Sequence, residues 1–270
     1  MPELPEVEII RRGLEARIPG RTITSAWRSP VALRKPSPLP LEALMGRRIR
    51  ALRRHAKVMF WDLDDGATLV AHLGMTGKFL IDPSAEPSHT HLRLKMDDGT
   101  VVTFSDPRRF GWLALHAPDD APLDAAHYGV DALDPAFTAE HLAALLAGSR
   151  APLKAFLLDQ TKVAGLGNIY ACEALWRAGL SPRRKACNTA RGRIAPLREA
   201  IVAVLEESLA AGGTSFNDYV DSIGRKGSFL FAVAVFQREA EPCPRCGPAA
   251  GIKRIVQSGR STFYCPGCQR

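Results

Sequence analysis

Two C-x-x-C pairs lie near the C-terminus, Cys243-Pro-Arg-Cys246 and Cys265-Pro-Gly-Cys268, with 18 residues between them. No other feature of the chain limits its fold as sharply. Four thiolates presented by two tight turns suit one tetrahedral zinc, and a closed four-sulfur set leaves no open position, so the metal is structural. On this pattern residues 251–257 and 261–264 form a hairpin across Ser258-Gly259-Arg260. Two disulfides, or a redox pair, are the alternative reading of the same spacing. Cys172 and Cys187 stand alone and read as free thiols in a reducing compartment.

Charge points to a partner. The chain carries 36 Lys and Arg against 28 Asp and Glu, a formal net charge of +8. Such an excess suits a polyanion, although many basic proteins bind none. From Cys243 to Arg270 there are five basic residues and no acidic one. A compact positive hairpin presses on phosphates more readily than on protein. No run approaches the roughly 18 apolar residues of a membrane span. The acidic start, MPELPEVEII, is the opposite of a signal peptide's first segment, so a cytoplasmic location is expected.

The order of patterns predicts an α+β chain. Residues 5–18 place Val7, Ile10, Leu14 and Ile18 at helical spacing, with Pro5 near the start and Pro19-Gly20 at the end. Short β-like runs follow at 22–28, 48–54, 58–63, 68–73, 91–96 and 100–105, and two of their connections contain Asp-Asp-Gly hairpin signals, at 64–66 and 97–99. Many short strands with turns between them favour a sandwich or barrel. Residues 117–136 read as a linker. Helices are expected at 138–147, 152–159, 168–178 and 194–211, three of them stopped by Gly148, Gly179 and Gly212.

Four further segments carry candidate chemistry, each with a plainer alternative. RRIRALRRHAK, residues 47–57, holds seven basic residues and reads equally as a nucleic-acid patch or a guarded strand edge. DPRRFGW, 106–112, offers an arginine and an aromatic for a base stack; the alternative is a surface loop with Phe110 in the core. GLGNIYACEALW, 165–176, sets a glycine turn before a helix, with Asn168 as its expected cap and an anion site at its amides; a tight helix–helix turn is the alternative. The start Met-Pro-Glu favours methionine removal, which exposes Pro2 as a secondary amine. An α-amine titrates near 8, against about 10.4 for lysine, so more of it is nucleophilic at neutral pH. A frayed first residue is the plainer reading.

PELPEVE, HAK, HLGMTG, DPRRFG, LDQTKVAGLGNIYACE and the terminal cysteine module occur in one order that resembles the bacterial formamidopyrimidine-DNA glycosylases over nearly the whole chain. The resemblance implies a β-sandwich with flanking helices over 1–133, a helix–two-turn–helix domain with a lesion-capping loop over 134–236, and a zinc finger over 237–270. It implies a monomer that excises oxidised purines from double-stranded DNA and then nicks the strand. Pro2 would be the nucleophile at C1′, Glu3 the proton donor and Glu6 an acidic helper. Lys57 would serve β-elimination and Arg260 δ-elimination, both with phosphate contact. Asn168 would hold a phosphate beside the break. Met75, Arg108 and Phe110 would fill the gap left by a flipped nucleotide, and His89 and Arg150 would add DNA contacts. Cys243, Cys246, Cys265 and Cys268 would hold one zinc.

Two stretches depart from the family pattern. Val235-Phe236-Gln237-Arg238 stands where the family usually reads close to Val-Tyr-Gly-Arg, and Thr90, not aspartate, lies between His89 and His91. The sister endonuclease VIII-like enzymes for oxidised pyrimidines share Pro2, Glu3 and the finger but usually lack the Met75, Arg108 and Phe110 set. A DNA-binding relative without catalysis is the remaining alternative, against which Pro2, Glu3, Lys57 and Arg260 all speak.

Overall fold

The computed structural model describes residues 2–35, 39–120, 127–214 and 219–270. The expectation concerning Met1 therefore lies outside the described residues. The chain divides into two compact units, Met1–Pro122 with Leu209–Leu230, and Leu123–Ser208 with Phe231–Arg270.

In the first unit helix α1 (Leu4–Glu15) precedes eight strands: β1 (Ile23–Arg28), β2 (Ile49–His55), β3 (Val58–Leu63), β4 (Thr68–His72), β5 (Lys78–Ile81), β6 (Thr90–Met96), β7 (Val101–Ser105) and β8 (Trp112–His116). They form two antiparallel sheets with orders β1-β6-β7-β5 and β2-β3-β4-β8. Both Asp-Asp-Gly segments close hairpins, β3–β4 and β6–β7. Alternation sets the faces: along β6 Leu92, Leu94 and Met96 are buried while Arg93 and Lys95 are exposed. The sheets meet in one aromatic seam, where Trp61 of β3 lies 5.3 Å from Phe79 of β5 and Phe79 lies 5.0 Å from Phe104 of β7. The core extends to Val7, Ile10 and Leu14 of α1 and to Tyr219.

The expected β-sandwich is present, with differences in detail. Strands β5 and β8 lie where the sequence predicts no strand. Each has four or five residues and sits beside glycine turns, too short to show a period of its own. Helix α1 ends at Glu15, because Arg17 and Ile18 both return their amides to the Leu14 carbonyl in a closing turn.

In the second unit the predicted helices appear as α2 (Ala139–Ala147), α3 (Leu153–Leu158), α4 (Asn168–Arg177) and α5 (Ile194–Ala210). The expected linker carries β9 (Val130–Asp131), which pairs in parallel with β10 (Val163–Ala164) in the turn before α4. The cysteine segment folds as two small hairpins, β11 (Pro242–Cys243) with β12 (Gly247–Gly251), and β13 (Lys253–Gln257) with β14 (Arg260–Tyr264). Among the described residues no helix is long and apolar enough to cross a membrane.

Glu8 ties α1 to the sheet beneath it. Its carboxylate accepts from Arg11 at 2.9 Å, Arg12 at 2.8 Å and Arg54 of β2 at 3.0 Å. Burial pushes this carboxyl up, but the hydrogen bonds from Arg11 and Arg12 and the charges of Arg54 and Arg11 outweigh it, bringing it from 4.5 down to about 2. The folded value lies below the unfolded one, so the stabilisation is complete above pH 4.5 and is lost as pH falls to about 2. Urea unfolding of Glu8→Gln is expected to show a loss of about 2–3 kcal/mol at neutral pH. The gap to wild type should shrink steadily below pH 4.5. A gap that does not change with pH would contradict the assignment.

Candidate functional site

From Pro2 onward the start of the chain is fixed, not frayed. Pro2 is buried, and Glu3 and Glu6 are each 1 % exposed. Glu3 is the N-cap of α1 and closes a capping box with Glu6. Glu6 Oε2 accepts the Glu3 backbone N–H at 2.8 Å, and Oε1 accepts the Thr214 N–H at 2.8 Å. The second bond needs Gly213 beside it: φ there is +86°, and a Cβ would meet the Tyr219 ring at 2.9 Å and Glu6 Oε1 at 3.3 Å. Tyr219 is held as the neutral phenol by burial and by the charges of Glu6 and Asp221. Both Glu6 oxygens are thus used in placing backbone, which suits positioning better than proton transfer.

Lys57 leaves the β2–β3 turn, where Ala56 has φ +55°. Arg54 fixes that turn by donating to the Ala56 carbonyl at 2.8 Å, while its Nε bonds Glu8 on α1. One arginine therefore links the turn carrying Lys57 to the helix that Pro2 and Glu3 lead into. The neighbouring arginines serve the fold. Arg47 pairs with Asp65 and Arg53 with Asp62, and Arg50 donates to the Asp64 carbonyl. Along most of 47–57 the strand-edge reading prevails.

His72 was missed by sequence reasoning. It pairs across β3–β4 with Val58, the residue after Lys57. Its ring stacks on Trp112 at 6.0 Å, and the Lys35 ammonium lies over the Trp112 ring at 4.6 Å. Burial, then the charges of Lys57 and Lys35, lower His72 to about 4. The ring is neutral at physiological pH. Its Nδ1 accepts the Gly74 N–H at 3.0 Å, so the proton sits on Nε2 as a donor.

The expected gap-filling residues share one platform. Asp106 is fully buried and accepts the Gly111 N–H at 2.7 Å, the Arg108 N–H at 3.2 Å and the Thr76 hydroxyl. The 72–77 turn lies directly on the 106–111 loop. A Cβ on Gly74 would come within 2.4 Å of the backbone at Phe110 and Gly111. Met75 is half-buried and Arg108 exposed on this platform, and Phe110 is 37 % exposed, which removes it from the core. Two guanidiniums flank the Phe110 ring, Arg34 at 4.4 Å and Arg108 at 5.1 Å. His89 is exposed with φ +60°, and its carbonyl accepts the Asp106 N–H.

The second unit holds a separate polar groove. Asn168 is the first residue of α4 and Gly167 is the cap, which corrects the expected capping role. The Asn168 side chain is diverted to longer-range partners. Its Oδ1 accepts from Lys154 and its Nδ2 donates to the Ser261 carbonyl at 3.0 Å. Lys154, wholly buried, also donates to Thr262 at 2.8 Å. Sequence reasoning missed Lys154, and missed Gln160, whose amide bridges Gly165 and Leu166 in the turn before α4. Asn168 and Arg260 line one groove of about 540 Å³ with Phe236, Gln237, Glu239, Arg254, Ser261 and Phe263. Arg150 is exposed between α2 and α3 and does not line it.

The four finger sulfurs all lie within 4.8 Å of one another. Cys243 and Cys268 are 3.9 Å apart and Cys246 and Cys265 3.7 Å, close to the roughly 3.8 Å that a tetrahedral site with zinc–sulfur bonds near 2.3 Å requires. Trp176 donates its indole N–H to Cys243 Sγ at 3.5 Å, a bond that favours the thiolate. The donor set and its spacing fit one structural zinc.

Comparison with known proteins gives matches along the whole chain. The model of the formamidopyrimidine-DNA glycosylase N-terminal domain matches residues 1–113, that of the formamidopyrimidine-DNA glycosylase H2TH domain 128–220, and that of the zinc finger found in FPG and IleRS 240–270. A formamidopyrimidine-DNA glycosylase from Paracoccus denitrificans (strain Pd 1222) is 47 % identical over 281 residues, with 100 % of each chain covered. The crystal structure of the MutM (Fpg) protein from Thermus thermophilus matches with a TM-score of 0.86 at 39 % identity, covering 99 % of this chain and 98 % of that one. Wild-type Lactococcus lactis Fpg (MutM), crystallised with DNA containing N7-benzyl-Fapy-dG, matches with a TM-score of 0.89 at 32 % identity over 100 % of both chains.

Metal analysis of the purified protein is expected to find one zinc per chain. Cys265→Ser should lower that content and collapse the 243–270 hairpins, seen as rapid proteolysis there, while α1 and both sheets stay folded. Full resistance to proteolysis in metal-free protein would contradict a structural zinc.

Proposed function

The chain belongs to the formamidopyrimidine-DNA glycosylase family, and from that premise we propose that it excises oxidised purines, 8-oxoguanine and formamidopyrimidines, from double-stranded DNA and then nicks the abasic strand. The observation that carries the reading is the buried, doubly anchored N-terminus, which presents residue 2 in a fixed place. With Met1 removed, the Pro2 nitrogen is a secondary amine with the modest basicity of an α-amine. It attacks C1′ of a nucleotide turned out of the helix, the bond from C1′ to the base breaks, and Glu3 supplies the proton that the base carries away. The nitrogen then loses its proton, the ring oxygen O4′ gains one and the C1′–O4′ bond breaks, leaving an iminium that links Pro2 to the opened sugar.

That iminium withdraws electrons from C2′, which loses a proton as the 3′ phosphate leaves. A second elimination releases the 5′ phosphate. Lys57 and Arg260 hold the two phosphates as they depart, and Asn168 binds the backbone beside the break. The neutral Nε2–H of His72 supplies a further donor next to Lys57. Arg108 faces the unpaired base opposite the lesion, Phe110 wedges between base pairs, and Met75 pads the void. His89 and Arg150 add backbone contacts. Zinc, when bound, supplies no step; it holds the hairpin from which Arg260 projects.

On this reading residues 1–133 carry the chemistry, 134–236 grip DNA and cap the lesion, and 237–270 form the finger. The enzyme works as a monomer in the cytoplasm, at the nucleoid where its substrate lies.

Duplexes carrying 8-oxoguanine opposite cytosine are expected to lose the modified base and to end as a one-nucleoside gap with phosphate on both sides. Phe110→Ala should slow excision by tenfold or more, given about 2 kcal/mol for the lost wedge, with an unchanged melting temperature. Arg108→Ala should also weaken the preference for cytosine opposite the lesion. Cleavage of a duplex with oxidised thymine, and not of 8-oxoguanine, would overturn the purine reading. Unfolding of Phe110→Ala would return that residue to the core.

A further inference from the structure

The groove around Asn168 and Arg260 contains one residue whose backbone is held against its own preference. Gln237 has φ +59°, in the left-handed region where a side chain with Cβ is strained and glycine is not. Asparagine and aspartate offset that strain by bonding their own backbone; glutamine's longer side chain is poorly placed to do so.

The surroundings leave Gln237 no way to relax. Glu173 of α4, wholly buried, accepts three successive backbone amides, Ala234 at 2.8 Å, Val235 at 2.9 Å and Phe236 at 2.9 Å. Phe236 is then locked edge-on against Phe263 of β14, with ring centroids 5.2 Å apart. The chain must turn at the next position. The exposed Gln237 side chain therefore emerges into the groove, beside Asn168 at the start of α4 and Arg260 of the finger. Glu239, the one acid in the lining, lies 3.9 Å from Arg254.

We propose that Gln237 is a DNA-contacting residue whose carboxamide donates a hydrogen bond to a backbone phosphate oxygen held between Asn168 and Arg260. The inference rests on the reading of this groove as a phosphate site. A neutral amide adds a directed bond without displacing a counterion, whereas Arg260 acts through charge. Persistent strain at a position with a polar side chain aimed into a binding groove is the kind of cost that function maintains. Phe236, an aromatic without a hydroxyl, fills the adjacent wall and leaves the polar contact to its neighbour.

The test uses the zinc-loaded full-length protein and a duplex bearing a tetrahydrofuran abasic analogue, with affinity followed by fluorescence anisotropy across a range of potassium chloride concentrations. Gln237→Gly is expected to melt at or above the wild-type temperature, since it relieves the strain, yet to bind about tenfold more weakly, as for one hydrogen bond to a charged group. The slope of log affinity against log salt should stay at the wild-type value. Gln237→Glu keeps the size and places a negative charge against the phosphate, so it should weaken binding further, most at low salt. Arg260→Ala should weaken binding and lower the salt slope by about one unit.

If both Gln237 variants bind as wild type while Arg260→Ala binds weakly, this inference fails and the phosphate site stands. If Arg260→Ala also binds as wild type, the reading of the groove fails and the inference with it. If Gln237→Gly loses both stability and affinity while Gln237→Glu binds as wild type, Gln237 is structural and the inference is overturned.

Discussion

A single buried carboxylate holds the start of α1 in place. Glu6 receives the amide of Glu3 on one oxygen and the amide of Thr214 on the other. A first residue ordinarily frays, since few contacts offset the entropy of ordering it. Here the first turn of α1 is capped by its own side chains and tied to a stretch of chain 208 positions away. The close approach of Gly213 and the buried Tyr219 complete the seat. An amine delivered this way keeps its position without a long flexible stem, which is the geometric requirement of covalent catalysis at a sugar carbon.

The same device recurs within each unit of the fold. Glu8 gathers three arginines and, through Arg54, extends the order of α1 to the turn that presents Lys57. Asp106 devotes its carboxylate to the loop that carries Arg108 and Phe110. Glu173 fixes the approach to the finger. In each case a buried acid satisfies backbone or arginine donors that would otherwise be costly to bury, and in doing so places a segment that carries a candidate functional side chain. On the proposed reading these side chains bind DNA and the acids hold them in place.

Much of the fold was legible in the sequence because its signals are local. Asp-Asp-Gly turns marked two hairpins, glycine stops marked helix ends, and two C-x-x-C turns marked the metal module. What escaped was set by distant partners. Strands β5 and β8 are four and five residues long and are defined by pairing, not by period. Asn168 carries the composition of a cap, but Lys154 and Ser261 claim its side chain and Gly167 caps the helix instead. The basic run 47–57 read equally as a nucleic-acid patch or a strand edge because its acidic partners, Asp62, Asp65 and Glu8, sit outside the run. His72 could have been suspected from its place in HLGMTG, but nothing local revealed that it faces Val58 or that burial keeps it neutral. Residue types announce candidate chemistry, whereas protonation state and orientation come from packing.

The central claim is that the N-terminal amine of Pro2, and no lysine, forms the covalent link to DNA. Borohydride added during reaction with an 8-oxoguanine duplex converts any imine or iminium into a stable bond. Digestion of the trapped complex and peptide mass analysis then locates the sugar. One adduct is expected, on the N-terminal peptide beginning at Pro2, and none when Met1 is retained. An adduct on the peptide carrying Lys57, or equal trapping with Met1 in place, would contradict the claim.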